Sequence, residues 1–464
     1  MDYDVLVLGG GMIGCAVAYE LSKYNLNIAV IEKDHDIGSD AALINTATIY
    51  DGLECEDTLS SSLIRKGNKM IDSYVSKFNV PFKRCGSLYV AKNSDQEIQI
   101  ERMYKIALEK EIREVKLLCD GEIYRVEPNL QRGFKKALYI PNTGVVCSYD
   151  LALAYGEIAF DNGVKFKLEE EVLNIENTSK GFKVETNRNK FTCKIVINTT
   201  SQKDLGRDYN KNKIKDAYKN NLKYFIVDKS YNNLYSNIIF DIDNKERRYI
   251  RPTMNGEIIG ALSTDENVNY DIVIDKLSHL TGKVDAKSIK MVLDWSLYDE
   301  PVVIDDNLND NGYINVSVKH FGKVTMTPAI ADMVCKMVVN DLNCILKKDF
   351  IDRRRECYKF RDLNNEDRKR IIDLDRKYGK IVCRCENITE GEIVDAIRRP
   401  LGARTLEGVK RRTGAGFGNC RGSYCNQVII SILARETDKH ITEIVKNSKN
   451  SKVVLSRIKE FDTM

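Results

Sequence analysis

Asp4 to Lys33 reads DVLVLGGGMIGCAVAYELSKYNLNIAVIEK. Val5 to Leu8 form a short apolar run that breaks into Gly9, Gly11 and Gly14. A helical pattern follows, then a second apolar run, Ile28 to Ile31, which ends on Glu32. This order predicts a strand, a tight turn, a helix and a second strand parallel to the first. The three glycines differ in purpose. The first permits the turn, the second lets backbone approach a pyrophosphate, and the third lets helix and strand pack closely. The helix start offers N–H groups and a positive dipole end to an anion. Glu32 lies 18 positions beyond Gly14, where a carboxylate accepts hydrogen bonds from a ribose hydroxyl. An acid there disfavours a 2′-phosphate, so the unit suits FAD or NAD better than NADP.

The 464 residues are enough for two or three domains. Lysine and arginine number 72 against 68 aspartates and glutamates, so a net charge of +4 selects no polyanion and no nucleic acid. A hydrophobic fraction of 43% with 30% charged residues describes an ordinary globular chain. No apolar run reaches the length of a membrane span, although peripheral association with a membrane stays compatible. No positively charged segment precedes a hydrophobic stretch, so the expected compartment is the cytoplasm. Of the 13 cysteines, Cys15, Cys55, Cys85, Cys119, Cys147, Cys193, Cys335, Cys344 and Cys357 are scattered singly and read as small buried residues or free thiols.

Beyond Glu32 the pattern predicts a polar loop, then helices over about Leu59–Phe78, Asp95–Lys110 and Asp150–Asp161. Pro81 to Ala91 reads as a strand. Lys194 to Asn198 is a continuous apolar strand of the kind found inside parallel sheets. Asn221 to about Asp310 favours strands and turns. Gly312 to Val318 is a late apolar strand running into the helix TPAIADMVCKMVVNDL, which returns the chain to its N-terminal unit.

The remaining four cysteines are clustered. One residue separates Cys383 from Cys385, four separate Cys420 from Cys425, and 34 lie between the pairs. Thr389 with Glu392 marks a capping box at the start of an intervening helix. Four thiolates from two local turns can hold a tetrahedral zinc or an iron–sulfur cluster. A disulfide pairing fits a reducing compartment less well.

The N-terminal unit together with VPFKRCGSLYVA, YRVEPNL, ALYIPNTGVVCSYDLALAYGEIAFDNGV and TPAIADMV resembles the FAD-dependent oxidoreductases of the D-amino-acid-oxidase-like class. Within it the likeness is greatest to the anaerobic glycerol-3-phosphate dehydrogenase and L-2-hydroxyglutarate dehydrogenase types. IVCRCENITEGEIVDAIRRP and LEGVKRRTGAGFGNCRGSYC are similar to the small [2Fe–2S] domain related to bacterioferritin-associated ferredoxin. The resemblance implies an α/β fold: a Rossmann-like FAD-binding domain, an inserted mainly antiparallel α+β substrate domain and a small C-terminal helical iron–sulfur domain. The oxidoreductase would span 1–344, with FAD-binding parts at about 1–80, 145–205 and 312–344 and substrate parts at about 81–144 and 206–311. A charged linker (345–380), the cluster domain (381–437) and a basic solvated tail (438–464) would follow. Glu32 would bind the adenosine ribose, Asn45 would lie in the loop passing the flavin pyrophosphate, and Val172 would meet the adenine through its backbone. Cys383, Cys385, Cys420 and Cys425 would ligate the cluster.

Four stretches depart from the family pattern. Asn45 to Gly52 carries Tyr50 where histidine is common, and Asn198-Thr199-Thr200-Ser201 lacks a usual glycine. Ser317 to Thr325 is poor in glycine, and Trp295 to Tyr298 replaces an expected arginine–proline stretch.

A flavin accepts electrons in pairs and releases them singly, and a [2Fe–2S] cluster carries one at a time. Both on one chain imply a dehydrogenase that exports electrons to a protein subunit or a quinone. The substrate would be a small anionic molecule: a hydroxy acid, a polyol phosphate or an amino acid. Arg251 is the candidate anion anchor, against a surface arginine on a strand edge. His320 is a candidate base and Tyr50 a candidate orienting group, each against a structural role. The basic run Arg398, Arg399, Arg404, Lys410, Arg411 and Arg412 reads as a solvated face and a counter-charge to the thiolates. The cluster lies far along the chain from the glycine turn, so the two cofactors are expected to be held independently. The alternatives are a non-catalytic electron-transfer subunit and a zinc-stabilised nucleotide-binding module.

Overall fold

Tyr3–Leu8 and Ile28–Ile31 are adjacent parallel strands, with Leu8 opposite Ile31, and the helix Met12–Leu21 connects them. The computed structural model describes residues 1–39, 47–200, 219–228, 235–242, 246–254, 256–264, 268–307 and 312–456. Lys190–Asn198 lies parallel on the other edge of Tyr3–Leu8, Tyr313–Ser317 parallel beside the end of Lys190–Asn198, and Lys165–Lys167 beside Ile28–Ile31. Leu8, Ile31 and Asn198 thus end at one edge of the sheet, the edge where open α/β sheets bind ligands. Val172–Thr178 and Gly181–Thr186 add an antiparallel flap to the first half of Lys190–Asn198.

Helices Met12–Leu21, Thr58–Lys77, Ser148–Asp161 and Lys323–Leu342 pack together in the main core. Tyr19, Tyr74, Phe78 and Tyr155 close it with edge-on and tilted ring contacts, Tyr19 to Phe78 at 5.2 Å and Phe78 to Tyr155 at 5.4 Å. Thr58–Lys77 and Lys323–Leu342 meet almost backbone to backbone. A Cβ on Gly67 would stand 1.8 Å from the carbonyl oxygen of Thr325.

The second sheet has eight strands in the order Ile289–Tyr298, Lys219–Val227, Ile258–Thr264, Arg247–Pro252, Ile238–Asp241, Ser87–Ala91, Lys136–Ile140 and Lys116–Cys119. Every pairing is antiparallel except Ile238–Asp241 with Ser87–Ala91. Its alternation sorts the side chains. Leu88, Val90, Ile239, Ile250 and Leu262 face the helices Asp120–Val126 and Tyr270–Thr281. Tyr89, Phe240, Tyr249 and Ala261 face the nucleotide-binding half. A three-stranded sheet of Thr48–Ile49, Gly144–Val146 and Phe82–Arg84 joins the two halves.

Several sequence expectations shift. The strand expected over Pro81–Ala91 is two, Phe82–Arg84 and Ser87–Ala91, broken at Gly86 with φ +70°. The second sheet ends earlier than 311, because Val303–Asn307 pairs as a hairpin with Tyr313–Ser317 in the nucleotide sheet. The charged stretch after 344 is strapped down by complementary charge: Asp352 accepts from Tyr19 at 2.5 Å, and Arg354 pairs with Asp150 and Glu157. The basic tail begins inside a core, since Ile444 and Val445 are buried and the Leu406 N–H donates to the carbonyl of Val445. That core, with Ile393, Ile397, Val409, Ile429 and Leu433, unites the helices Glu390–Arg398, Leu406–Thr413 and Asn426–Thr437. The box of Thr389 and Glu392 caps the first of them, as the sequence predicts.

Gly67→Ala forces two helices apart and should destabilise the fold by about 1–3 kcal/mol. A clear drop in the thermal unfolding midpoint checks it, with Gly121→Ala, which has open space around its Cβ, as the tolerant control.

Candidate functional site

Gly9 turns the chain with φ +98°, and a Cβ on Gly14 would stand 1.9 Å from the carbonyl oxygen of Gly9. Only glycine at both places lets the helix start against the strand end. Gly11 is the N-cap, no side chain caps the helix, and no acid stands in its first turn. Among the described residues neither the cap nor the first turn brings an anion to that helix end, which fits a bound pyrophosphate. Glu32 is buried and accepts from the N–H groups of Gly10 at 2.6 Å and Asp34 at 2.9 Å. Those bonds fix the carboxylate. Glu170 N–H donates to the carbonyl of Glu32 at 2.9 Å, which brings Val172, two residues on, to the same sheet end. Asn45 lies outside the described residues.

Across the second sheet Tyr224, Ala261, Tyr249, Phe240 and Tyr89 stand in one register row facing the nucleotide half. Arg247 and Arg251 flank Tyr249 by two residues each, so both share its face. Arg247 is ion-paired with Glu54 and lies over the rings of Phe321 at 4.8 Å and Tyr50 at 5.6 Å. Arg251 differs: only 6% of it is exposed, and its main electrostatic neighbours are Tyr249, Tyr50, Tyr224 and Cys85. Burial pulls its guanidinium below the usual arginine value. A charge so placed favours a bound anion beside it.

Tyr50 is buried and packs edge-on against Phe321 at 4.9 Å. His320 is held at both nitrogens. Nδ1 accepts from the Gly322 N–H at 2.9 Å, while Nε2 lies 3.1 Å from Asp299 and 3.6 Å from Cys55. It therefore braces the loop leading to Phe321. Next to Tyr50, Asp51 is buried, its Oδ1 accepts from Leu53 at 2.7 Å, and its Oδ2 has no partner. Burial pushes its carboxyl up to about 6, with Glu54 and Lys110 as charged neighbours.

The four clustered thiols stand as two pairs. Cys385 and Cys420 are exposed or half-exposed, with sulfurs 3.5 Å apart, while Cys383 and Cys425 are buried and hydrogen-bonded side chain to side chain. Among the described residues no three His, Cys, Asp or Glu side chains gather closely enough for one metal ion. Two pairs fit a cluster with two irons better than one tetrahedral zinc. The backbone N–H of Gly422, then the Cys385 thiol, then the N–H groups of Tyr424 and Ser423 hold the Cys420 thiol below its usual value, as a thiolate ligand needs. Burial pushes Cys425 up to about 11. Gly418 must be glycine, because its Cβ would stand 2.3 Å from that of Cys385.

The basic run is a solvated face only in part: Arg398 is exposed, and three others turn inward. Arg412 is buried and bidentate on Asp36, Arg399 reaches Glu157 at 3.5 Å, and Arg404 donates to the carbonyl of Ile397 at 2.9 Å. The acids on the nucleotide half attract them, and sequence alone cannot show that acids 376 residues away face a helix. Sequence reasoning also misses Arg247, although two-residue alternation from Arg251 along one strand is the available signal.

The two halves and the thiol domain together define a flavoprotein joined to an iron–sulfur module. Residues 4–337 match the family described as FAD dependent oxidoreductase, and residues 381–435 match the BFD-like [2Fe-2S] binding domain. The chain belongs to the FAD dependent oxidoreductase family and carries a [2Fe–2S] domain behind it. It is similar to glycerol 3-phosphate dehydrogenase of Caloramator mitchellensis, with 33% identity over 477 residues, covering 97% of this chain and 98% of the relative. The mitochondrial L-2-hydroxyglutarate dehydrogenase of Dictyostelium discoideum is 30% identical over 189 residues, 40% of this chain and 42% of that protein. Among solved structures, dithionite-reduced L-alpha-glycerophosphate oxidase from Mycoplasma pneumoniae with FAD bound shares the fold. Its TM-score is 0.66 at 20% identity, over 77% of this chain and 99% of that one. No helix among the described residues is long and apolar enough to cross a membrane.

Replacing any one of Cys383, Cys385, Cys420 or Cys425 by serine should remove most of about two iron atoms and matching acid-labile sulfide per chain. Cys335→Ser should remove neither. Metal and sulfide analysis of anaerobically prepared protein checks this, and one zinc without sulfide would contradict it.

Proposed function

We propose that this chain is a dehydrogenase of glycerol 3-phosphate, or of a polyol phosphate of that size, that delivers electrons through its cluster domain to a protein partner or a quinone. The buried guanidinium of Arg251, whose main electrostatic neighbours among the described residues are tyrosines and Cys85 rather than a carboxylate, carries the reading. It calls for a dianionic or anionic group at the face that covers the nucleotide half. Similarity over nearly the whole chain to a glycerol 3-phosphate dehydrogenase supports phosphate as that group. Thirteen free cysteines suit a reducing compartment, the cytoplasm in this reading.

The glycine turn and Glu32 would hold FAD and the four thiols the cluster, which would supply a hydride acceptor for the C–H beside a hydroxyl and a one-electron outlet. The chain's own residues do the rest. Arg251 grips the anion, and Tyr50, wedged by Phe321 and Arg247, limits the room beside it. The face is closed by Tyr89, Phe240 and Tyr249, which exclude water. Oδ2 of Asp51, buried and unpartnered beside Tyr50, takes the hydroxyl proton in this scheme.

Glycerol 3-phosphate added anaerobically should bleach the flavin, and L-2-hydroxyglutarate should not. Arg251→Met should lower kcat/KM for glycerol 3-phosphate about 100-fold or more, equivalent to ~3 kcal/mol, and leave the weak reaction of glycerol unchanged. Equal losses for both substrates would remove Arg251 from anion binding.

Asp51 must be ionised to accept a proton, so kcat/KM should rise with pH through about 6 and then level off. Asp51→Asn should flatten that limb, as read from steady-state rates with an artificial acceptor.

A further inference from the structure

The Asp34–Ser39 loop leaves Glu32 and closes over the glycine turn, with Gly38 N–H donating to the carbonyl of Gly10 at 2.8 Å. Its middle is held by the cluster domain. Arg412 Nη1 donates to Asp36 Oδ2 at 2.5 Å and to the Tyr149 hydroxyl at 2.7 Å. Nη2 donates to Asp36 Oδ1 at 2.6 Å and to the carbonyl of Leu401 at 2.8 Å. The two charged side chains are only 6% and 7% exposed. Gly408 allows the approach, since a Cβ there would lie 2.9 Å from Asp36 Oδ2. Leu401 packs at Gly156 and Ile37, filling the notch beneath the same loop, where a Cβ on Gly156 would meet Leu401 at 3.2 Å. We infer that Arg412 is a positioning residue for the flavin site: the cluster domain, through the Arg412–Asp36 pair, holds the loop that fixes Glu32 and Gly10, so FAD affinity depends on a docked cluster domain. It runs counter to the expectation that the two cofactors are held independently. It rests on the reading of Glu32 and the glycine turn as the adenosine ribose site.

Breaking a buried, bidentate ion pair leaves one charge stranded, so the loop must open to water or shift. Bonds from Asp34 to Glu32 and from Gly38 to Gly10 carry that shift into the ribose and pyrophosphate contacts. Coupling of this kind runs in both directions: bound FAD tightens the docking of the cluster domain by the same factor.

The test uses the full-length protein with its cluster, stripped of flavin by mild dialysis and titrated with FAD by fluorescence quenching. Arg412→Met should weaken FAD binding about tenfold or more, with iron content and far-UV circular dichroism unchanged. ADP, which carries only the adenosine end, should lose affinity by a similar factor. Arg412→Lys should restore part of the loss, and Arg398→Met, which removes an exposed pair with Glu436, should bind as wild type. Asp36→Asn breaks the same pair from the flavin side without touching the cluster domain, and serves if Arg412→Met fails to fold. Normal FAD binding by both Arg412→Met and Asp36→Asn, while Glu32→Gln is weakened, would overturn the inference alone. Normal binding by Glu32→Gln as well would overturn the ribose site beneath it.

Discussion

The approach of Gly14 to Gly9 is the contact on which the molecule depends. At 1.9 Å between a would-be Cβ and a carbonyl oxygen, no other residue allows the helix Met12–Leu21 to begin against its strand. That start aims the helix's N-terminal end at the strand ends and sets the distance at which Glu32 can take the Gly10 N–H. Glu32 then places the loop through Asp36, and Asp36 places the cluster domain. A steric rule at one atom pair thus reaches a domain nearly 400 residues further along.

Buried arginines divide the chain into scaffold and site. Arg354 and Arg412 carry carboxylates at hydrogen-bond distance, and their charges are raised in affinity for the proton by those partners despite burial. They join segments distant in sequence. Arg251 is equally buried and is pulled the other way. The same side chain is structural where the protein supplies the anion and receptive where it does not.

Much of this is legible before folding. The strand–turn–helix–strand unit, the late returning strand and the four thiols are local patterns, and each appears where its period or spacing places it. The capping box at Thr389 follows from two residues alone. What stays hidden depends on contacts between distant segments. Val303–Asn307 pairs with a strand that the chain reaches only later, and Ile444 is buried by a core that its lysine-rich surroundings conceal. The basic run misleads because nothing local in it distinguishes a guanidinium facing water from one facing Asp36. At the substrate face, Arg251 stands out by its neighbourhood in sequence. His320 stands out by residue type, and its two hydrogen bonds make it a brace.

The parallel sheet has a consequence for the time course of synthesis. Its parallel strands come from residues near 5, 30, 166, 195 and 315, so the first apolar strand lacks its second neighbour until Lys190–Asn198 leaves the ribosome, and that strand in turn waits for Tyr313–Ser317. At about 5–20 residues per second the first of those waits is roughly 10–40 s, during which Val5 to Leu8 presents a bare strand edge. The second sheet also closes late, because Ile289–Tyr298 is its outer strand. A nascent chain of this design holds sticky edges open for most of its translation, and its yield in a cell is governed by chaperone supply as much as by the stability of the finished fold.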